Sequence, residues 1–381
     1  MRKLIELFKE DISFDTDEFM AYSTDASQIK GEPIAIVWPR NVEQIQKLVQ
    51  IALRNKHTLV PRGAGTGLAG GCVPQKAIVV DMSKMNKIES INVRDNKVTV
   101  QPGVVISDLN EKLDSYDLFF PVIPASHTAC QIGGIISTNA VGTRALRFGR
   151  TCDWVHEVRI VDGGGKLLKV RPSDICGTEG ILGIIVEATL KVTEPLPQTT
   201  LTIRKYDHVD EIDFGEFSDA IALEFIDKLS AEMLDLEPAY YLFSEYEEKG
   251  EITDPERIKE LWGLRKRLGP LLTTKRYKIK EDPKIPLENM GKFIRWVTNN
   301  KIPAFGHIGV GILHLRFRKE QEKLIRQMFE KVIELGGSAS GEHGIGLAKK
   351  QYVDQKRIRE LTALKERFDP EKVFNRGKIY D

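Results

Sequence analysis

The densest run of unhindered backbone in the sequence is Pro61-Arg62-Gly63-Ala64-Gly65-Thr66-Gly67-Leu68-Ala69-Gly70-Gly71. Glycines leave backbone N–H groups uncovered, and a row of such groups beside an arginine suits phosphate. Gly65, Gly67 and Gly70 satisfy the G-x-G-x-x-G spacing of a dinucleotide fingerprint, but that motif should open directly onto a helix. Here Val73-Pro74 follows, then the strand-like run Ala77-Ile78-Val79-Val80-Asp81. The pattern predicts a phosphate cradle held between two strands. The bland alternative is a flexible surface loop.

A second group lies far along the chain. Gly306-His307-Ile308-Gly309-Val310-Gly311-Ile312-Leu313-His314 carries two histidines that would face opposite sides of a straight strand. Gly309 and Gly311 let the chain turn, so the imidazoles can converge. Core or structural roles are as open as metal ligation on this evidence alone. A third ligand is on offer in Ser340-Gly341-Glu342-His343-Gly344-Ile345-Gly346, because Glu342 with two histidines makes a His₂-carboxylate set suited to a divalent ion such as zinc. Upstream, Ile258, Leu261, Trp262, Arg265 and Leu268 form one helical stripe. Arg265 on its edge is either a snorkelling side chain or a guanidinium fork for a carboxylate.

The elements that must position these groups are legible from periodicity. Strands are predicted at Pro33–Pro39, Ala77–Asp81, Lys97–Val100, Val155–Val161, Leu167–Val170 and Gly183–Val192. A helix is expected from Asn41 to Arg54, with Asn41 as N-cap. Phe119 to Gly149 is rich in Gly, Ala, Ser and Thr, as backbone pressed against something flat would be. The texture changes near Pro195-Leu196-Pro197. A helix should open at Asp254-Pro255 and stop at Gly269-Pro270, and a last one should span Lys349–Phe368. The layout is an α+β chain: a cofactor domain over 1–195, an inserted cap over 196–335, and a C-terminal return over 336–381.

Composition sets bounds. The 381 residues carry 56 Lys+Arg against 55 Asp+Glu, so nothing draws the chain as a whole to nucleic acid or an anionic membrane. No apolar stretch approaches the ~20 residues that cross a bilayer, and the N-terminus alternates charge with apolar residues instead of forming a signal peptide. A cytoplasmic protein with no transmembrane segment is expected. Cys72, Cys130, Cys152 and Cys176 are scattered, without the pairing an iron–sulfur cluster or zinc knuckle needs.

Arg62-Gly-x-Gly-Thr-Gly67, the small-residue stretch and Gly177-Thr178-Glu179-Gly180-Ile181-Leu182-Gly183-Ile184 together resemble the vanillyl-alcohol-oxidase (p-cresol methylhydroxylase, PCMH-type) FAD fold. Within it, the chain resembles the FAD-linked D-2-hydroxy acid dehydrogenases and glycolate oxidase flavin subunits over nearly its whole length. The resemblance implies a two-subdomain FAD-binding domain with an inserted α/β cap. Arg62, Gly63, Ala64, Gly65, Thr66, Gly67 and Leu68 would hold the FAD pyrophosphate. Ser126, Ile132, Gly133, Gly134, Ser137, Thr138, Asn139 and Gly142 would line flavin and phosphates, and Glu179, Gly180, Gly183 and Ile184 the adenosine side. Asn375 and Lys378 match the family's closing motif. Thr66 stands where members with covalent flavin carry His, which implies non-covalent FAD. His127, in the flavin stretch, reads as a satisfied structural histidine.

The same resemblance makes Arg265, from Trp-x-x-Arg, and Lys280, from the Lys-x-Asp stretch, anchors for a substrate carboxylate. His307, His314 and Glu342 become ligands of a divalent metal, zinc or manganese, and His343 the base, an imidazole able to be neutral near pH 7. Val310 and Ile312 replace the family's Asp and Asn between the histidines, pointing to a small D-2-hydroxy acid of the lactate or glycolate kind. The implied reaction passes a hydride to flavin N5 and yields the 2-oxo acid. Electrons would then leave to oxygen, a quinone, a soluble carrier or a partner protein; a homo-oligomer is compatible. Two rival readings are a flavin-dependent transferase of the alkylglycerone-phosphate synthase type and a non-catalytic FAD subunit of an oxidase complex.

Overall fold

A computed structural model describes residues 1–379. The chain divides into two units: Met1–Ala140, Arg150–Pro195 and the segment from His343 onward form the first, and Val141–Gly149 with Leu196–Glu342 the second. The return to the first unit thus falls at His343, where the sequence pattern placed it near 336. Gly142 groups with the second unit.

The first unit holds two sheets. β1 (Ile12–Ser13), β2 (Glu32–Val37), β3 (Leu59–Arg62) and β4 (Gln75–Asp81) make a four-stranded sheet in the order β1-β2-β4-β3, parallel except at β1. β5 (Ile88–Asn92), β6 (Lys97–Val100), β7 (Val155–Asp162), β8 (Leu167–Val170) and β9 (Gly183–Lys191) make an antiparallel one, ordered β5-β6-β9-β7-β8. The parallel β2–β4 pair needs a crossover, and the Val42–Asn55 helix lies within it. That helix starts because Asn41 Oδ1 accepts the Gln44 N–H at 3.0 Å, and ends where Lys56 turns left-handed. Ile45, Leu48, Val49 and Ala52 are fully buried on one face, the larger three each stabilising by about 1.5–3 kcal/mol. Asn41→Ala would remove the cap and about 1 kcal/mol. The free edge of β3 is closed by the chain's far end: Leu59 donates to the Val373 carbonyl and accepts from Asn375 N–H.

The second unit is built on one antiparallel sheet. Its strands are β10 (Thr200–Tyr206), β11 (Ala222–Ile226), β12 (Tyr240–Tyr246), β13 (Ile279–Glu281), β14 (Ala304–Gly306) and β15 (His314–Phe317), ordered β10-β12-β11-β14-β15-β13. The register pairs Ile226 with Phe305, Phe305 with His314, and Arg316 with Lys280. Since alternate residues share a face, Glu224, Phe305, His314, Arg316 and Lys280 all project from the same side.

Two helix boundaries differ from the sequence expectation. The Asp254-capped helix runs from Pro255 to Thr274, through Gly269-Pro270. Leu268 and Leu272 are both fully buried four residues apart, so another turn carries Leu272 into the core. Pro270 lies on the exposed side, as does Lys266, whose carbonyl loses its helical partner but can bind water. The last helix starts at Gln355, not Lys349, because Asp354 Oδ1 accepts the Arg357 N–H at 2.8 Å. The strand expected at Pro33–Pro39 is Glu32–Val37.

Candidate active site

In the first unit the glycine loop joins β3 to β4, between strands as its sequence implies. The backbone N–H groups from Ala64 to Leu68 find no hydrogen-bond acceptor among the described residues. A row of uncommitted amides is the donor set that a pyrophosphate requires, so these residues fit an FAD phosphate bridge. Arg62 braces the loop from beneath. Its Nη1 donates to the Thr24 carbonyl at 2.9 Å, and its guanidinium lies over the Tyr22 ring, 5.1 Å from the centroid. Gly65, at φ 68°, sits so close to Arg62 that a Cβ there would collide with the guanidinium.

The Ile132–Thr138 helix carries the next residues that the resemblance assigns to the cofactor. A Cβ on Gly134 would project into open space, whereas one on Gly133 would strike Pro102. Ser137 and Thr138 donate their hydroxyls to the Gly133 and Gly134 carbonyls, leaving oxygen lone pairs outward. Ile132 and Ile184 are fully buried core residues, so their side chains pack inside the protein and only their backbone could meet a ligand. Gly183 lies against the Val161 carbonyl, where a side chain would clash. His127 keeps a ring nitrogen 3.1 Å from the Pro124 carbonyl, the structural role its sequence context implies. Ser126 accepts two backbone N–H groups on its carbonyl.

Glu179 performs a task its motif did not reveal. Its carboxylate accepts the Ile345 and Gly346 N–H groups at 2.6 and 2.9 Å, tying down the loop that starts at His343. Gly344, at φ 83°, passes so close that a Cβ would lie 2.8 Å from the Glu179 carboxylate. Asn375 donates to the Gly71 and Glu179 carbonyls, and Lys378 to Gly71 and Asn375. Burial pushes the Glu179 carboxyl up to about 7, against the pull of the two N–H groups, and pushes Lys378 down to about 8.

The second unit holds a buried ionic chain. Glu224, fully buried in the middle of β11, takes Arg265 Nη2 on one carboxylate oxygen at 2.5 Å and His307 Nδ1 on the other. Burial raises the cost of its charge, yet the Arg265 guanidinium and the His307 ring hold its carboxyl down at about 2. With Nδ1 engaged, His307 presents Nε2 to Glu342, 3.9 Å away, and His314 Nε2 lies 3.5 Å from the other Glu342 oxygen. One ligand atom from each of these three residues falls within 4.8 Å of the others. Donors about 2 Å from a common centre stand about 3.3 Å apart, so the set fits a divalent ion. With a metal bound there, Glu224 would be the outer carboxylate that orients the His307 imidazole. The Glu342 segment is itself fixed by Asp282, whose buried carboxylate accepts the Ser340 hydroxyl and the Gly341 and Glu342 N–H groups.

With 33% identity over 95% of its length, the chain resembles glycolate oxidase subunit GlcD of Bacillus subtilis (strain 168) across 92% of that protein. The chain belongs to the FAD-linked D-2-hydroxy acid dehydrogenase and glycolate oxidase family. Residues 33–171 match a family model described as FAD binding domain, and residues 247–379 one described as FAD linked oxidases, C-terminal domain. D-2-hydroxyglutarate dehydrogenase of Stutzerimonas stutzeri (strain A1501) is 29% identical over 96% of this chain and 95% of its own. D-lactate dehydrogenase of Anaerostipes hadrus is 26% identical over 99% and 97%. An alkyldihydroxyacetonephosphate synthase structure superposes with a TM-score of 0.72 at 17% identity, over 98% of this chain and 84% of that one, which shows a shared PCMH-type fold. The family member described here is thus an FAD oxidoreductase, and no helix among its described residues is long and apolar enough to cross a membrane.

Of the residues singled out by sequence, the structure brings His307, His314, Glu342 and Arg265 into one network in the second unit and groups His343 with the first. Lys280 stands on the same sheet face as His314, two strand positions removed through its partner Arg316. Glu224 was missed. Its signal was available: a single carboxylate inside the apolar run Ala220-Ile221-Ala222-Leu223-Glu224-Phe225-Ile226 demands a buried cation. Val310 and Ile312 form a small cluster with Val141 and Ala145, and a Cβ on Gly341 would press into Ile312. Packing therefore accounts for their apolar character.

Proposed function

We propose that this protein oxidises a short D-2-hydroxy acid to its 2-oxo acid, with non-covalently bound FAD. The observation that carries the reading is the continuous chain Arg265–Glu224–His307, which leads from a buried guanidinium to a His₂-carboxylate cluster. A carboxylate anchor and a hydroxyl-binding centre in one network are what an α-hydroxy acid requires. Arg265 and Lys280 receive the carboxylate; Lys280, its ammonium kept below its usual range by burial and by Arg316, gains most from an arriving anion. His343 takes the hydroxyl proton as the α-carbon loses its hydride. FAD, when bound by the 62–68 loop and the 132–139 segment, supplies the two-electron acceptor. A divalent ion on His307, His314 and Glu342 would supply Lewis acidity toward the hydroxyl. Glu179 and Asn375 keep the His343 loop and the glycine loop in place. Electrons from the reduced flavin would pass to oxygen, a quinone, a soluble carrier or an electron-accepting partner protein.

The test is anaerobic flavin bleaching against D- and L-2-hydroxy acids. Rapid bleaching by a D-acid, slowed about 10²–10⁴-fold in His343→Ala, is expected. A bound flavin that none of the acids reduces would defeat the reading and move the protein toward a transferase or a non-catalytic subunit.

A further inference from the structure

Arg316 is nine-tenths buried, and its Nε and Nη1 have no hydrogen-bond partner among the described residues. Nor does any described carboxylate pair with it. Its neighbours are cationic: Lys280 faces it across β13–β15, and its guanidinium shares the ring of Phe305 with that of Arg265, at 5.5 and 4.5 Å from the centroid. Arg265 offers one arm to Glu224, while its Nε is also buried and without a partner among the described residues. Gly269 makes room for this arrangement, since a Cβ there would come within 3.3 Å of Arg316 Nη2. Three cations thus meet two carboxylates, Glu224 and Glu342, both already engaged elsewhere: Glu224 by Arg265 and His307, and Glu342 by the two histidines. Such a charge excess is costly unless an anion completes it.

One anionic group from a monocarboxylate can complete part of that donor set. We infer that Arg316 is a specificity-determining residue that receives a second acidic group, so that the substrate is a D-2-hydroxy acid with two carboxylates. The inference rests on the proposed reading of the site and names its substrate class. Its span follows from the strand. His314 and Arg316 are two residues apart on one face, about 7 Å. A four- or five-carbon diacid bridges that separation once hydrogen-bond lengths are added. Charge-assisted, two-pronged bonding from a guanidinium is the recognition mode that discriminates such a group.

The experiment compares anaerobic flavin reduction by D-malate, D-2-hydroxyglutarate and D-lactate in the wild-type holoenzyme, in R316Q and in R316K. One of the two diacids is expected to outpace D-lactate by at least about 30-fold at subsaturating concentration, and R316Q to collapse that ratio. R316K, which keeps the charge and loses the fork, should fall between. D-lactate matching or exceeding both diacids, or a ratio unmoved in R316Q, would overturn the inference. A binding readout separates this from the parent reading: thermal unfolding with 2-oxoglutarate against pyruvate. If no acid bleaches the flavin but 2-oxoglutarate still stabilises more than pyruvate, in an Arg316-dependent way, the dehydrogenase reading fails and the dianion subsite stands. Equal stabilisation by the two oxo acids would count against the subsite whatever the kinetics.

Discussion

Two buried glutamates, one in each unit, show how far partners outweigh burial. Glu179 and Glu224 are both nearly or wholly shielded from solvent, at 7% and 0% exposure. Among the described residues Glu179 accepts only backbone N–H groups, with Lys378 and Lys349 nearby, and burial raises its carboxyl to about 7. Glu224 sits directly between a guanidinium and an imidazole and falls to about 2. Neutral dipoles hold a chain in place without fully compensating a charge, whereas formal cations at contact distance do so. The first arrangement suits a fixture and the second an electrostatic relay. The same distinction separates what each unit contributes: backbone geometry in the first, buried charge in the second.

The comparison can be broken most forcefully at Glu224. Glu224→Ala leaves Arg265 and His307 buried without their shared anion, and a loss of about 3–5 kcal/mol is expected in denaturant unfolding. An unfolding midpoint within experimental error of wild type would show that the ionic chain carries no such weight. A gentler change, Glu224→Gln, keeps the shape and removes the charge that orients His307. Zinc or manganese affinity, measured by competition with a chromophoric chelator, should weaken about 10–100-fold; unchanged affinity would remove Glu224 from the metal's outer shell.

The smallest effect belongs to Glu179. Its carboxyl lies near 4.5 when unfolded and rises to about 7 when folded, so the folded state holds an extra proton between those values. Its contribution is fully present below about pH 4.5 and declines as pH climbs through about 7. Asp227, raised by burial to about 6, acts in the same sense over a lower window. In Glu179→Gln the decline in melting temperature from pH 5 to 7 should therefore become shallower but not vanish. Parallel curves for the two proteins would contradict the assigned shift.

Much of the first unit could be read from sequence, because its elements follow local rules. The Asn41 cap, the period-3.6 burial of Ile45, Leu48, Val49 and Ala52, and the glycine loop placed between strands all rest on neighbours in the chain. The second unit resisted where long-range pairing decides. Nothing local to Arg316 or Glu224 announces that β11, β14, β15 and β13 lie side by side and bring both onto one face. The helix through Pro270 failed for a related reason: burial of Leu272 outweighed a local stop signal. Glu179 was recognised as part of a cofactor motif, but its partners Ile345 and Gly346 lie more than 160 positions away.

The closure of β3 by residues 373–375 has a consequence for synthesis. The strand that leads into the glycine loop is translated roughly 300 residues before the segment that pairs with its free edge. Until then a strand rich in apolar residues stands with an unpaired edge, the kind of surface on which chains associate wrongly. A chaperone that shields nascent chains would therefore find a long-lived client surface here, and a chain without residues 373–375 would have its nucleotide cradle flanked by an open strand edge.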